Sequence, residues 1–207
     1  GNMMRIAAGL ATCGNIVYAS SFAMFAAGRA YEQVRNSIGY THLNVKICTT
    51  HAGITLGEDG ASHQSIEDIA LMRSIPGMTV LQPSDDIETK QMIKAISEFE
   101  GPCYVRLGRS AVETVNNEDY KFELGKGVVL REGKDITLIA TGMMVQEAMK
   151  ASTLLAEQGI EVNVINIHTI KPLDEALILD YAKKSKLVVT CEEHSKFGGL
   201  GSAVAET

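Results

Sequence analysis

Short β-branched runs alternate with helix-length amphipathic segments along almost the whole chain, a pattern that pairs strands in parallel through right-handed crossovers. Asn2 to Thr12 carries Met3, Met4, Ile6, Ala7, Leu10 and Ala11 at helical spacing, and Gly14 supplies a C-terminal cap. A strand is predicted over Ile16 to Ala19, a helix over Phe22 to Ser37 and a second strand over Val45 to Thr49. The alternation continues with a helix from Ile66 to Ile75, stopped by Pro76, a strand over Met78 to Leu81, a helix over Asp85 to Phe99 and a strand over Cys103 to Leu107. From Arg109 to Gly125 periodicity fails, and Asn116, Asn117, Glu118 and Asp119 give that stretch the composition of a linker. Strands at Ile136 to Ala140, Val162 to Ile167 and Leu187 to Cys191 then alternate with helices at Val145 to Gln158 and Asp174 to Lys184. The expected fold class is therefore α/β, with two parallel or mostly parallel sheet domains. We place them at 1–109 and 125–207, joined by a linker at 110–124; at roughly 100 residues per domain, 207 residues hold two.

Charge narrows the function. Lys and Arg number 19 against 25 Asp and Glu, a net charge of −6, so no excess of positive charge is available for a nucleic-acid backbone. No apolar stretch reaches the ~20 residues of a membrane helix, and GNMMRIAAGLATCG lacks the basic-then-apolar order of a secretory signal. Cys13, Cys48, Cys103 and Cys191 form no CxxC pair, which fits reduced thiols and a cytoplasmic setting.

Chemistry concentrates in one place. His51 to Gln64, HAGITLGEDGASHQ, follows a predicted strand, has no period and contains Gly53, Gly57 and Gly60. Ligands of open α/β sheets sit at the carboxyl ends of strands, so His51, Glu58, Asp59 and His63 are candidates for binding a hydroxylated substrate and moving protons near neutral pH. A metal site of two His and two carboxylates is the competing reading, although its spacing matches no ligand signature. Phe22 and Phe25 by themselves read as core residues, and Arg109 as a charge at the edge of the linker. A second glycine run, FGGLGSA from Phe197 to Ala203, reads as a tight turn opening a helix, with an anion cradle as the lesser reading. His168 and His194 are taken as structural.

The run THAGITLGEDGASHQSIEDIALMRSIPGMTVLQPSDDIET resembles the pyrimidine-binding domain of transketolases, which use thiamine diphosphate. The likeness extends upstream through NMMRIAAGLA and SSFAMFAAGRAYEQVRNSI, and downstream through GPCYVRLGRS to EEHSKFGGLGSAVAE. It is greatest to the C-terminal subunit of split transketolases. Deoxyxylulose-phosphate synthases have DRAG where this chain has THAG, and the β subunits of 2-oxo acid dehydrogenases lack the GEDGASHQ run.

The resemblance implies two-carbon ketol transfer from a ketose phosphate to an aldose phosphate. It implies that thiamine diphosphate and Mg²⁺ or Ca²⁺ are held mainly by an N-terminal diphosphate-binding subunit, in a homodimer or α₂β₂ assembly. By position, Phe22 and Phe25 stack on the aminopyrimidine, and His51 and His63 contact substrate hydroxyls and help proton transfer. Asp59 binds the hydroxyl next to the carbonyl, and Arg109 holds the sugar phosphate. Two positions depart from the family. Its cofactor-activating glutamate lies in a GIAEQNMM-like motif whereas this chain begins GNMM, and a third aromatic at the pyrimidine is replaced by Gly28. Further sequence is expected before Gly1 and after Thr207, and this polypeptide alone is expected not to turn over ketose phosphates. The alternatives are a noncatalytic partner of a thiamine enzyme, a synthase of the deoxyxylulose-phosphate type, and a metal-dependent hydrolase.

Overall fold

β2 (Val45–Thr50) and β4 (Cys103–Arg106) are buried along most or all of their length, as strands inside a helix-covered sheet must be. The computed structural model, which describes residues 1–207, sets them between β1 (Val17–Phe22) and β3 (Thr79–Leu81). β1, β2, β4 and β3 are mutually parallel in that order. The second sheet orders β5 (Val128–Arg131), β7 (Val162–Asn166), β6 (Ile136–Ala140) and β9 (Leu187–Cys191). β7, β6 and β9 are parallel, and β5 runs antiparallel at the edge. The α/β class and the mostly parallel pairing follow the alternation in the sequence.

Two strands have no counterpart in the sequence reading. β5 is short and only half-buried throughout, so no period separates it from the linker before it. β8 (Thr169–Lys171) is three residues long, lies ahead of Pro172, and pairs antiparallel with β3. It comes from the later part of the chain but closes the first sheet, so the two sheets are not built from two separate stretches of sequence.

The helix predicted over Phe22 to Ser37 also differs. Phe22 ends β1 opposite Thr50, and the chain then winds as a π-helix over Met24–Arg29 and Val34–Gly39, on either side of the short α2 (Tyr31–Gln33). Ala23, Ala26, Ala27 and Ala30 are all buried, so small side chains let this broad turn lie close on the sheet. α1 (Asn2–Thr12) packs Met4, Ala7, Ala8 and Ala11 inward, into the same core as Val34, Ile38, Val45 and Ile47.

α3 (Asp68–Arg73) is shorter than its apolar pattern at both ends. α4 (Asp86–Glu98) starts where the acidic residues indicate, with the Asp85 carboxylate accepting the Glu88 N–H at 2.9 Å. α5 (Met144–Ala156), α6 (Glu175–Lys184) and α7 (Leu200–Ala205) flank the second sheet. The stretch between β4 and β5 holds no helix or strand, yet it is a strap fastened to α4. Asp85 accepts the Val115 and Asn116 N–H groups at 2.9 and 2.8 Å, and the Tyr120 hydroxyl donates to the buried Glu88.

Candidate active site

The carboxyl ends of β1, β2 and β4 lie side by side, and each releases one candidate residue. Phe22 closes β1 next to Thr50, His51 follows β2, and Arg109 follows β4. His51 has a left-handed backbone, φ 59°, which is rare outside glycine and concentrates at functional sites. Its imidazole lies flat on Phe22, with centroids 3.9 Å apart and planes at 16°. Phe25 continues the stack on Phe22 at 6.1 Å and 11°. His63 meets the two phenyl rings edge-on, 5.2 Å from Phe25 and 6.1 Å from Phe22. In each imidazole Nδ1 is engaged, by Thr50 Oγ1 at 3.0 Å in His51 and by Ser62 Oγ at 2.9 Å in His63. Neither Nε2 atom has a hydrogen-bond partner within the chain.

The stack is not symmetric. His51 covers one face of Phe22, whereas Phe25 is the outer ring, 37% exposed, and borders a groove of about 640 Å³ lined by Met3, Met4, Ser21, Ala26 and Arg29. Of the two phenyl rings expected to stack on an aminopyrimidine, Phe25 is the more open and Phe22 lies behind it.

The base of the loop is closed by ion pairs and backbone bonds. Gly53 N–H donates to Ser65 O at 2.8 Å, drawing the two ends together. Arg106, at the end of β4, is fully buried. Its Nε donates to Asp68 Oδ2 at 2.7 Å, and its Nη2 to the carbonyls of Ser65 and Glu193 at 3.1 and 2.9 Å. Burial pulls the guanidinium pKa down, but Asp68 outweighs it and the net shift is upward. Tyr104 also donates to Asp68 Oδ2, at 2.7 Å; burial first, and Asp68 second, push its phenol well above the ordinary value. From beyond β9, the buried Glu193 carboxylate accepts the Ile54 and Thr55 N–H groups at 2.7 and 2.5 Å.

The other candidates are placed differently. Asp59 and Glu58 stand exposed at the tip of the loop with no hydrogen-bond or ion-pair partner. Arg109 is exposed, and its guanidinium lies beside Gly57, where an added Cβ would sit 3.4 Å from Nη1. The structure therefore gathers Phe22, Phe25, His51 and His63 into one cluster, lays Arg109 against the same loop and leaves Asp59 free above it. No three His, Cys, Asp or Glu side chains converge as a metal-ligand set. No helix is long and apolar enough to cross a membrane.

His168 and His194 have structural surroundings. His168 is buried against Phe122, and His194 Nε2 accepts the Ala70 N–H at 3.5 Å. The FGGLGSA turn does open a helix, and its anion is the chain's own: the Glu192 carboxylate accepts the Leu200 and Gly201 N–H groups at 2.6 and 2.8 Å.

Sequence reasoning missed Arg106, Asp68 and Glu193. A charged residue ending a strand of otherwise apolar and aromatic residues was the available signal for Arg106, since such a charge is buried only when paired. Asp68 reads as an ordinary first-turn acid and Glu193 as a surface residue. Neither carries a local mark.

Residues 1–114 match the family of the transketolase pyrimidine-binding domain, and residues 125–207 the transketolase C-terminal domain. A putative transketolase C-terminal section of Methanocaldococcus jannaschii is 56% identical over 99% of this chain and 65% of its own length. A 6-deoxy-6-sulfo-D-fructose transketolase subunit of Clostridium sp. is 46% identical, over 99% of this chain and 64% of its own length. Among solved structures, a split-gene transketolase described as an inactive β4 tetramer superposes with a TM-score of 0.93 at 52% identity, covering 99% of this chain and 67% of that one. This chain thus spans about two thirds of the length of these relatives. With both of its domains matched, the chain belongs to the transketolase family.

Proposed function

We propose that this chain supplies the pyrimidine side of a transketolase active site and, with a diphosphate-binding partner, moves a two-carbon ketol unit from a ketose phosphate to an aldose phosphate. The observation that carries the reading is the ring cluster: two imidazoles with unpartnered Nε2 atoms beside an exposed phenyl ring at the carboxyl edge of a parallel sheet. The residues present fit the aminopyrimidine half of thiamine diphosphate, because Phe25 offers a free face and the adjoining groove has room for a flat ring. No three His, Cys, Asp or Glu side chains converge to hold the Mg²⁺ or Ca²⁺ that accompanies the diphosphate. Ion and diphosphate belong to the N-terminal subunit, in a homodimer or α₂β₂ assembly. The relative described as an inactive β4 tetramer fits a site that a second polypeptide must complete.

Held by Phe25 and the adjoining groove, thiamine diphosphate would supply a carbon nucleophile for ketol transfer. This chain orients and protonates. Phe25, backed by Phe22, holds the pyrimidine ring. His51 and His63 bind substrate hydroxyls through Nε2 and exchange protons with them. Asp59, unpartnered at the tip, accepts the hydroxyl next to the carbonyl. Arg109 takes the sugar phosphate in a bidentate grip.

Mixing the full-length chain with a candidate diphosphate-binding subunit, thiamine diphosphate and Mg²⁺ tests this, with transfer from xylulose 5-phosphate to ribose 5-phosphate as the assay. Transfer by the mixture and by neither polypeptide alone is expected. Relatives named for different ketoses, 6-deoxy-6-sulfo-D-fructose and apulose-4-phosphate, make a panel of donor sugars part of the assay. A mixture that forms a complex but transfers from no donor, or full turnover by this chain alone, would refute the reading.

A further inference from the structure

Glu193 follows the second sheet, two residues past β9, yet its side chain is engaged by the loop of the first. One carboxylate oxygen accepts two successive backbone N–H groups, those of Ile54 and Thr55. The backbone at Gly53 runs so close that a Cβ there would overlap the carboxylate, and its φ of 89° is itself a glycine conformation. A hydrogen bond to a charged acceptor is about twice as strong as a neutral one, and this acceptor is buried. The Arg106 guanidinium binds the Glu193 backbone carbonyl and Asp68, tying the same residue to the end of β4.

What these contacts fix lies on either side of them. His51 is three residues before Ile54, and Gly53 is tied to Ser65, two residues after His63. Gln64 Nε2 donates to Ile54 O at 2.9 Å, so the segment that Glu193 grips is bonded to the residue next to His63. Releasing Ile54 and Thr55 would free both imidazoles from their places on Phe22 and Phe25. We infer that Glu193 is a positioning residue for His51 and His63, by which the C-terminal domain sets the geometry of a loop whose catalytic side chains it does not touch. This inference rests on the transketolase reading for its effect on rate, but not for its effect on the loop.

The test uses the full-length chain with its diphosphate-binding partner. In Glu193→Ala, amide hydrogen exchange at Ile54 and Thr55 is expected to speed up by about tenfold or more, while Ile165 in the second sheet is unchanged. Turnover should fall about tenfold or more with KM for the sugars within about twofold, since a shifted acid–base group lowers kcat and leaves substrate binding largely in place. Glu193→Gln keeps an oxygen that accepts both N–H groups and should recover most of that loss, a rescue that a general need for negative charge would not give. If Glu193→Ala does not fold, Glu193→Asp, one methylene shorter, replaces it in every arm. Wild-type kcat in the Ala or Asp variant, unchanged exchange at both amides, or a Gln variant as damaged as Ala would each overturn the inference. An assembly inactive even with wild-type chain would instead defeat the transketolase reading, and the exchange arm would still decide the role of Glu193.

Discussion

The base and the tip of the His51–Gln64 loop obey opposite rules. At the base, Arg106, Asp68 and Glu193 are buried, and Arg106 binds one carboxylate and two carbonyls. At the tip, Glu58 and Asp59 are exposed and bind nothing in the chain. The difference separates two jobs that a Gly-rich loop must do. A rigid base gives the imidazoles fixed places beside the phenyl rings, and a bare tip leaves its carboxylates without partners in the chain, as the proposed substrate role of Asp59 requires.

Removing one partner from the base should therefore have the largest effect on the molecule. Asp68→Ala strands a buried guanidinium and the Tyr104 hydroxyl, and breaking a buried pair in this way costs about 3–5 kcal/mol. Chemical denaturation should show that loss. Asp59→Ala should change stability by no more than about 0.5 kcal/mol in the same titration. Comparable losses at the two sites would erase the distinction between base and tip.

The order reverses for substrate choice. Asp59→Ala should lower the preference of the reconstituted enzyme among acceptor aldoses differing at one hydroxyl by roughly ten- to a hundredfold, because a lost charged hydrogen bond is worth about 1.5–3 kcal/mol. Affinity for thiamine diphosphate should be nearly unchanged. An equal loss in cofactor affinity would mean that the tip holds the cofactor as well. A smaller effect is expected of Arg109→Ala, a roughly tenfold rise in KM for phosphorylated sugars and little change for unphosphorylated ones. Equal changes for both sugar types would remove Arg109 from the phosphate site.

How much of this was legible in sequence follows from the range of the interactions. The β1, β2 and β4 carboxyl ends, the start of α4 and the loop itself are local patterns, and the structure places them within a few residues of the sequence reading. β8 is tertiary: three residues become a strand only because the β3 edge is there to pair with. The π-helical winding after Phe22 depends on how closely Ala23, Ala26 and Ala27 approach the sheet, and no period in the sequence encodes that distance. Phe22 and Phe25 read as core residues until family resemblance assigned them to the pyrimidine, and only coordinates show that His51 already occupies one of the faces. Glu193 illustrates the limit. Its partners lie 138 and 139 positions away, and a lone carboxylate after a strand carries no sign of them.

The contrast between closed and open groups extends to the histidines, where it predicts the smallest effect. His168 is fully buried, with Nδ1 engaged by Thr169 Oγ1 at 2.9 Å, Nε2 without a partner and Phe122 against its ring. Burial lowers its pKa below the ordinary 6.5, with Glu88 and Asp174 pulling weakly the other way. Below 6.5 the unfolded chain takes up this proton before the folded one does, so folding stability is complete above that pH and declines as pH falls toward the folded-state pKa. Asp86 and Asp135, whose pKa values are lowered from 3.8, lose their contribution only in more acidic solution. Melting temperatures measured from about pH 7.5 to about pH 5 should thus fall for the wild type, and less steeply for His168→Gln, which cannot take up the proton. Parallel slopes would show that His168 is not the group responsible, and a steeper slope in the variant would mean that its imidazole gains rather than loses proton affinity on folding.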